Sequence, residues 1–473
     1  MNAPKLKLLA ADFFERPVKL RLPFRFGVVT LTEAPQVFVR ARIRLADGRE
    51  GDGVSAEMLA PKWFDKSPAL TNEQNFDQLR QSLALARDAL LAAGAGTPFA
   101  LSAAVDAPHH DACSAIGLNG LVASFGLALL DRTIIDALGR LEGLSVFTMV
   151  RENRLGMNAA TAADLQGLDF DKLLSSLRAA PSVHARHTVG LVDALTRAET
   201  QGKRVNDDLP ESLEEVVASY GHRYFKLKVA GQIEADIERL CGIAAVLDTI
   251  AEPYYATLDG NEQYRDIGEV DALWRRMAEE PRLARLRSSV LFIEQPIVRD
   301  RALSAPVTSL SEEVPIEIDE SDADVTVFPR ARALGYRGIS SKSCKGFYRA
   351  LINRARIEKW NAGEPGRYFM SAEDLTTQAG VAVQQDLALA TLIGATHIER
   401  NGHHYVDGMT RIPSAEREAF LAAHPDLYHR AGDNVRLTIR DGVIALGSLD
   451  TPGLGVGAMP DFTTMMLSPR IAA

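Results

Sequence analysis

The segment from His222 to Val229 alternates like a strand, but it carries Lys226 and Lys228 where a half-buried strand would be apolar. Side chains two apart on a strand share a face, so both lysines project into one space. Three later segments share another design: Tyr254 to Asn261, Val290 to Pro296 and Val314 to Ser321 are short apolar runs leading to Asp259, Glu294 and Asp319. A fourth, Gly338 to Lys345, leads to Lys342. Lysine, aspartate, glutamate, aspartate and lysine at successive strand ends describe a site.

From about His184 the chain repeats strand, helix, strand, a rhythm that implies parallel βα units. His187 to Val192 is the expected first strand, and Arg367 to Asp374 and Thr396 to Arg400 are the last two. Helices are expected over Pro210 to Tyr220, around Ile233 to Leu247, and over Val381 to Ile393. About eight parallel strands in about 220 residues match an eight-stranded α/β barrel, whose chemistry sits at the C-terminal ends of its strands. Upstream, residues 5–54 alternate as an antiparallel meander with a turn at Asp47-Gly48. Thr71 to Gln74 is a capping box that opens a helix, and a second helical region spans about Leu118 to Leu141, closing at Gly143.

The chain has 473 residues, of which 46% are apolar and 24% charged, ordinary values for a soluble globular protein. Its 53 basic and 62 acidic residues give a net charge of -9, which opposes nonspecific binding to nucleic acid or anionic membranes. Three cysteines without zinc spacing suit a reducing cytoplasm. Asp12 and Glu15 interrupt any signal-peptide core, and the apolar run Leu121 to Leu130 is too short to span a bilayer. Pro452 to Gly457 lacks the Lys-Ser/Thr ending of a phosphate loop and reads as a turn in a returning tail.

Three carboxylates from adjacent strands form an oxygen-only set suited to a hard cation, best Mg2+. Asp259 and Glu294 are 35 residues apart and Glu294 and Asp319 are 25 apart, each near one βα unit. No cysteine or histidine stands at those strand ends, which argues against zinc. Any single acid reads equally well as a helix cap or loop ion pair, so the set informs more than its members. Burial beside a metal favours the neutral form of a lysine, as a lysine base requires. Lys228 and Lys342 fall on opposite sides of the acidic arc, which sets a bound substrate between two bases, while Lys226 supports an anionic substrate electrostatically.

Asn261, Glu320, Glu373 and His403 are further candidate substrate contacts, with Phe26 and Trp63 from the first region. Phe24, Phe26, Trp63 and Phe64 are candidates to close over the barrel mouth, with core packing as the alternative. For His403 and His404 a solvated or capping role competes with a substrate clamp. Lys345, out of phase with Lys342, reads as a solvated helix-start residue, and Cys344 as a small packed side chain.

Lys226-Leu227-Lys228, Asp259-Gly260-Asn261, Glu294-Gln295-Pro296, Asp319-Glu320-Ser321 and Lys342 together resemble the signature of the enolase superfamily. The likeness is to its muconate lactonizing enzyme-like subgroup, within the mandelate racemase/muconate lactonizing enzyme family. It covers nearly the whole chain, because the N-terminal α+β region is similar to that family's capping domain and Pro452 to Val456 to the tail that returns to it. The resemblance implies an α/β fold, a modified TIM barrel (β/α)7β with an N-terminal α+β cap completed by the C-terminal tail. It also implies Mg2+ at Asp259, Glu294 and Asp319, with Lys228 and Lys342 as acid/base residues. The shared step is removal of the proton α to a carboxylate, with the enediolate held by the metal.

The expected activity is that of a racemase, epimerase or cycloisomerase acting on a small-molecule carboxylate. Two alternatives stand beside it: an acid dehydratase, in which Lys342 or a residue near Glu373 protonates a leaving hydroxyl, and a catalytically silent barrel that only binds metal and ligand. Specificity is expected from Pro23 to Val28 and Ser55 to Asp65. Lys345-Gly346-Phe347 stands where the family has Gly-Gly, and Glu399 to Tyr405 has no family counterpart. The expected divisions are a capping domain over 1–156, a linker over 157–183, a barrel over 184–425 and a returning segment over 426–473. A cytoplasmic homo-oligomer without nucleic-acid or membrane partners completes the expectation.

Overall fold

A computed structural model describes residues 3–26, 29–373, 375 and 378–469. The chain opens with an antiparallel meander of β1 (Leu6–Phe26), β2 (Val29–Leu45) and β3 (Glu50–Met58). Two helices pack on it, α1 (Asn72–Ala92) and α3 (Gly120–Glu142), and α2 (Pro98–Ala115) packs on both of them. Thr71 caps α1 as expected, its Oγ1 accepting from Gln74 N at 3.2 Å while its own N–H donates to Gln74 Oε1 at 2.7 Å. Gly143 ends α3 in the left-handed region, at φ 66°, where glycine is the favoured residue. The sequence reading omitted α2, which starts at a Thr97 cap and carries Pro108 in its interior, a residue that reads locally as a helix breaker.

The long apolar run of α3 is explained by burial along most of its length. The sheet lies so close to it that a Cβ on Gly53 would meet Thr133 O at 2.3 Å and Ala137 N at 2.4 Å. Asp136 of α3 then joins three parts of the chain: its carboxylate accepts from Val54 N at 2.9 Å, from Leu454 N at 2.8 Å and from Arg140 Nε at 2.7 Å. The Pro452 to Gly457 stretch is therefore a turn seated on the cap.

Eight parallel strands form a closed barrel in sequence order. They are β4 (Ser182–Val189), β5 (Tyr224–Lys228), β6 (Tyr255–Asp259), β7 (Val290–Glu294), β8 (Ile316–Ile318), β9 (Gly338–Ser341), β10 (Phe369–Ala372) and β11 (His397–Glu399). Pairing of β11 with β4, Glu399 opposite Arg186, closes the ring. The first strand begins five residues earlier than expected, so Arg186 joins Thr188 in the barrel wall. The helix after it starts at Leu213, not Pro210, because Ser212 and Glu215 form a capping box. An aromatic layer fills the N-terminal end: Tyr224 stacks on Tyr255 at 5.0 Å and on His397 at 4.7 Å, and Phe292 lies 5.0 Å from Phe369.

The chain returns through a hairpin, β12 (Tyr428–Ala431) and β13 (Asn434–Leu437), and through β14 (Val443–Ala445), which pairs antiparallel with β4. Finally β15 (Met466–Leu467) joins the cap sheet beside β1. No helix among the described residues is long and apolar enough to cross a membrane.

Buried histidines collect where β4, the segment before β5 and the loop after β11 meet. His187 lies 5.4 Å from His222 and 5.1 Å from His404, ring centre to ring centre. His403 donates from Nε2 to Leu437 O at 2.9 Å and packs on Tyr220. Burial pushes His222 and His403 each down to about 4 and His187 well below its ordinary value. The folded state therefore takes up protons on His222 and His403 only near pH 4, whereas the unfolded chain takes them up near pH 6.5.

This packing makes stability depend on pH. It should be full above about pH 6.5 and fall as pH drops toward 4, since the unfolded state binds the extra protons across that window. His403→Gln, which keeps a donor for Leu437 O, should flatten the fall in melting temperature, and an unchanged pH profile would show that His403 contributes nothing to it. At the seam between β3 and α3, Gly53→Ala should cost about 1–3 kcal/mol in denaturant unfolding by overpacking. The comparison is Gly363→Ala, where a Cβ meets nothing closer than Trp360 O at 3.7 Å and stability should hold.

Candidate active site

Strand register assembles the site. Lys228 stands opposite Asp259, and Asp259 opposite Glu294, while Glu294 faces Glu317, so Asp319 projects two residues further along the same face. Lys342 follows β9 directly, Glu373 follows β10, and Glu399 ends β11. All are buried.

The Lys226 ammonium is the centre of the lower layer. It lies 2.9 Å from Asp259 Oδ2, 2.8 Å from Glu294 Oε1, 2.7 Å from Glu373 Oε2 and 3.1 Å from Glu399 Oε2. Burial opposes its charge, but Asp259, Glu294 and Glu399 outweigh burial and hold it protonated. Arg186 pairs with Glu373, and Thr188 Oγ1 donates to Glu399 Oε1 at 2.5 Å. Burial raises Glu317 to about 7 and, with Asp259 beside it, pushes Glu294 well above the carboxylate range.

The upper layer faces a cavity. Lys228 Nζ lies 2.5 Å from Asp259 Oδ2, and Lys342 Nζ 3.1 Å from Asp319 Oδ2. Burial works against both acids' charges, yet Lys226 and Lys228 hold Asp259 below its ordinary value, and Lys342 and Lys345 hold Asp319 well below. Lys342 itself is raised: burial favours its neutral form, as the sequence reading expected, but Asp319 and Glu294 win. Phe24, Leu31, Ala60, Trp63 and Leu375 roof the cavity, and the Lys342 ammonium lies 5.2 Å from the Trp63 ring centre. The space is about 40 Å³. Phe24, Leu31, Ala60 and Trp63 belong to segments of the cap that cover it.

A polar latch holds those segments down. Arg299 donates to the carbonyls of Trp63 and Phe64, both at 2.9 Å, and pairs with Glu262 at 2.8 Å. Lys66 reaches from the cap to Glu262 and donates to Asn261 O at 2.9 Å. Gln295 braces the acids from below, its Oε1 accepting from Asp319 N at 2.8 Å and its Nε2 donating to Ser321 Oγ at 2.8 Å.

The donor set fits a hard cation. Six carboxylates (Asp259, Glu294, Glu317, Asp319, Glu373 and Glu399) outnumber Arg186, Lys226, Lys228, Lys342 and Lys345 in this interior. Glu294 Oε2 and Asp319 Oδ1 are buried without a hydrogen bond, although an ammonium lies 2.8 Å from each in a poor direction for one. Among the described residues, the acids whose oxygens lie within 4.8 Å of one another are Glu294, Glu317 and Glu373. Glu317 and Glu373 form the deeper layer, engaged by Arg186, Lys226 and Ser371, Asp259 and Asp319 line the cavity, and Glu294 stands between the layers, opposite Asp259 on one side and Glu317 on the other.

Other expected residues have different surroundings. Asn261 lines the cavity, its backbone N–H donating to Asp259 Oδ1 at 2.8 Å and its side chain to Glu320 Oε1 at 3.2 Å. Glu320 is buried toward Lys66, in a groove outside the cavity. Glu373 is occupied by Arg186 and Lys226, and His403 is turned to β13, so neither lines the cavity. The side chain of Phe26 lies outside the described residues. Lys345 is the clearest correction: instead of facing solvent it is buried, 2.8 Å from Asp319 Oδ1, and donates to Asp319 O at 2.8 Å and Ser340 O at 2.9 Å. A 3-10 turn over Ser343–Lys345 breaks the strand's period of two and swings it inward. Arg186 and Glu317 were missed; the signal for Glu317 was its place two residues before Asp319, on the same face.

No protein-family model matches the chain, and no curated protein matches it in sequence. Solved structures do resemble it. Muconate lactonizing enzyme from Mucobacterium Smegmatis, complexed with muconolactone, has TM-score 0.60 at 18% identity, covering 98% of this chain and 97% of that one. Dipeptide epimerase from Enterococcus faecalis V583, complexed with Mg and the dipeptide L-Leu-L-Tyr, has TM-score 0.60 at 16% identity, covering 96% and 100%. An enolase from Bradyrhizobium, complexed with magnesium and mandelic acid, has TM-score 0.58 at 18% identity, covering 96% of each chain. At such identities the likeness is one of fold, and it extends over the cap as well as the barrel.

Proposed function

We propose that the chain is an enolase-superfamily enzyme, of the muconate lactonizing enzyme-like kind, that removes the proton α to a carboxylate as a racemase, epimerase or cycloisomerase. The observation that carries this reading is the pair of buried ammonium groups of Lys228 and Lys342, tied to Asp259 and Asp319 respectively and lining one cavity. Similar folds solved with magnesium and small carboxylates support it.

Asp259, Glu294 and Asp319 would hold Mg2+. When bound, the ion would supply positive charge against the charge that develops on a substrate carboxylate. An α-carbon between Lys228 and Lys342 has an amine within reach of each face, so one lysine can accept the proton and the other return it with inversion. Lys226, protonated among its acids, adds positive charge under the carboxylate. Trp63 and Phe24 shut out water above it. Glu373 lends no support to a dehydratase, being engaged by Arg186 and Lys226. A barrel that only bound a metal would gain nothing from setting two further cations on the metal's acids.

Calorimetry separates the two layers of acids. Asp319→Asn should weaken Mg2+ binding by more than about 100-fold, beyond the range typical of outer partners. Glu317→Gln should retain binding within that range, and the reverse order would move the cation to the deeper layer. For the two lysines the readout is α-proton loss in deuterated buffer followed by proton NMR. Lys228→Ala should exchange only one enantiomer of a substrate and Lys342→Ala only the other, with net racemisation falling about 10²- to 10⁴-fold in both. Loss of the same enantiomer in both variants would point to one base, as in a cycloisomerase.

A further inference from the structure

The cavity above the lysines has a charged floor and an apolar roof. Phe24, Leu31, Ala60, Trp63 and Leu375 are each at most 8% exposed, and apart from the Trp63 indole N–H none of these side chains can donate or accept a hydrogen bond. Cationic side chains in the described covering segments are committed elsewhere or, in Arg25, exposed on the face of β1 opposite Phe24. Arg21 pairs with Asp207 and donates to Leu209 O at 3.1 Å, Lys62 donates to Ser67 O at 2.7 Å, and Lys66 is held by Glu262 and the Asn261 carbonyl. Asp65 is likewise engaged, accepting from Gln78 Nε2 at 2.9 Å and Ser67 N at 2.9 Å.

We infer that the substrate is a monocarboxylate whose other substituents are compact, uncharged and predominantly apolar, an assignment that rests on the proton-abstraction reading above. The carboxylate is the one charge for which the site has partners, since the lysines lie on the floor with Asp259 and Asp319, and Glu399, the other acid of the lining, is engaged by Lys226 and Thr188. A second carboxylate, or the ammonium of a dipeptide, would be carried under the roof with no opposite charge among the described residues. Burying such a group unpaired costs several kcal/mol. A polyhydroxylated acid fails for a related reason, because the lining offers one unpaired amide acceptor, at Asn261, and the roof offers none, so most of its hydroxyls would give up water unpaired. An aryl or branched alkyl group instead gains contact with Phe24 and Trp63 and adds apolar burial.

The test uses the full chain with saturating Mg2+ and three classes of probe: 2-phenylpropanoate and 2-methylbutanoate, then methylsuccinate and the dipeptide L-Leu-L-Tyr, then gluconate. Binding is read by calorimetry and α-proton loss by NMR in deuterated buffer. The apolar acids should bind at least about 100-fold more tightly than the charged and polyhydroxylated ones, the equivalent of an unpaired buried group. They should also be the acids that exchange. Equal or tighter binding of methylsuccinate, the dipeptide or gluconate, or exchange confined to them, overturns the substrate class and leaves proton abstraction standing. Exchange of no probe in any class, with Mg2+ bound, overturns proton abstraction itself and the substrate class with it.

Discussion

The ammonium of Lys226 sits inside the barrel within 3.1 Å of carboxylates from four different strands or strand ends. Removing a lone charge from water costs far more than a protein of ordinary stability can absorb, so neither this lysine nor its acids could be buried without the others. The strands that bear them must therefore close in the observed register. A slip of one residue would turn Lys226 and Lys228 outward and leave their acids uncompensated. Where many α/β barrels fill their interior with branched aliphatic layers, this one keeps an aromatic floor and builds an ion network above it.

The same charges set the chemical state of the site. Asp319 sits between Lys342 and Lys345 and is held strongly ionised, and it holds Lys342 protonated in return. A basic amine at Lys342 therefore depends on what else shares the carboxylate. Lys345 lies 2.8 Å from Asp319 Oδ1 as an ion pair and donates to the Asp319 and Ser340 carbonyls, while Oδ2 is the oxygen that faces Lys342. Some of the chain's backbone strain lies beside these acids: Asn261, Glu262 and Gln295 have φ of 39°, 69° and 29°. Such conformations persist where surrounding bonds over-determine them, as the Gln295 contacts to Asp319 and Ser321 do here.

The cap completes the site by supplying what the barrel lacks, an apolar surface and a closure. Its roof residues come from β1, β2 and the segment after β3, and that segment is fastened to the barrel by Arg299, Glu262 and Lys66. Asp136 fastens the other side, joining β3, α3 and the returning tail. Opening the roof thus means breaking a small number of polar contacts while the sheet and its helices stay packed. That division of labour suits the chemistry proposed for the site, in which a substrate is admitted and water then excluded.

Much of this was legible in the sequence because it is local. Apolar runs that lead to Asp259, Glu294, Asp319 and Lys342 mark strand ends, and the two-residue period places Lys226 beside Lys228. The capping box at Thr71 and the glycine stop at Gly143 likewise depend on a few adjacent residues. Helix α2 was not legible, since Pro108 is tolerated only through packing that a local pattern does not reveal. Nor was the partition of the acids into two layers, because Glu317 and Glu373 acquire their partners from β10 and β4, remote in the chain. Lys345 needed a 3-10 turn to reach Asp319, and His403 a hairpin strand, met at Leu437 34 residues downstream, to draw it from the mouth. By itself the sequence determined which side chains stand at the strand ends, since backbone periodicity is a property of neighbours. Only the tertiary structure decided which of them share a cavity and which neutralise one another, since charge compensation depends on distances that ring closure alone sets.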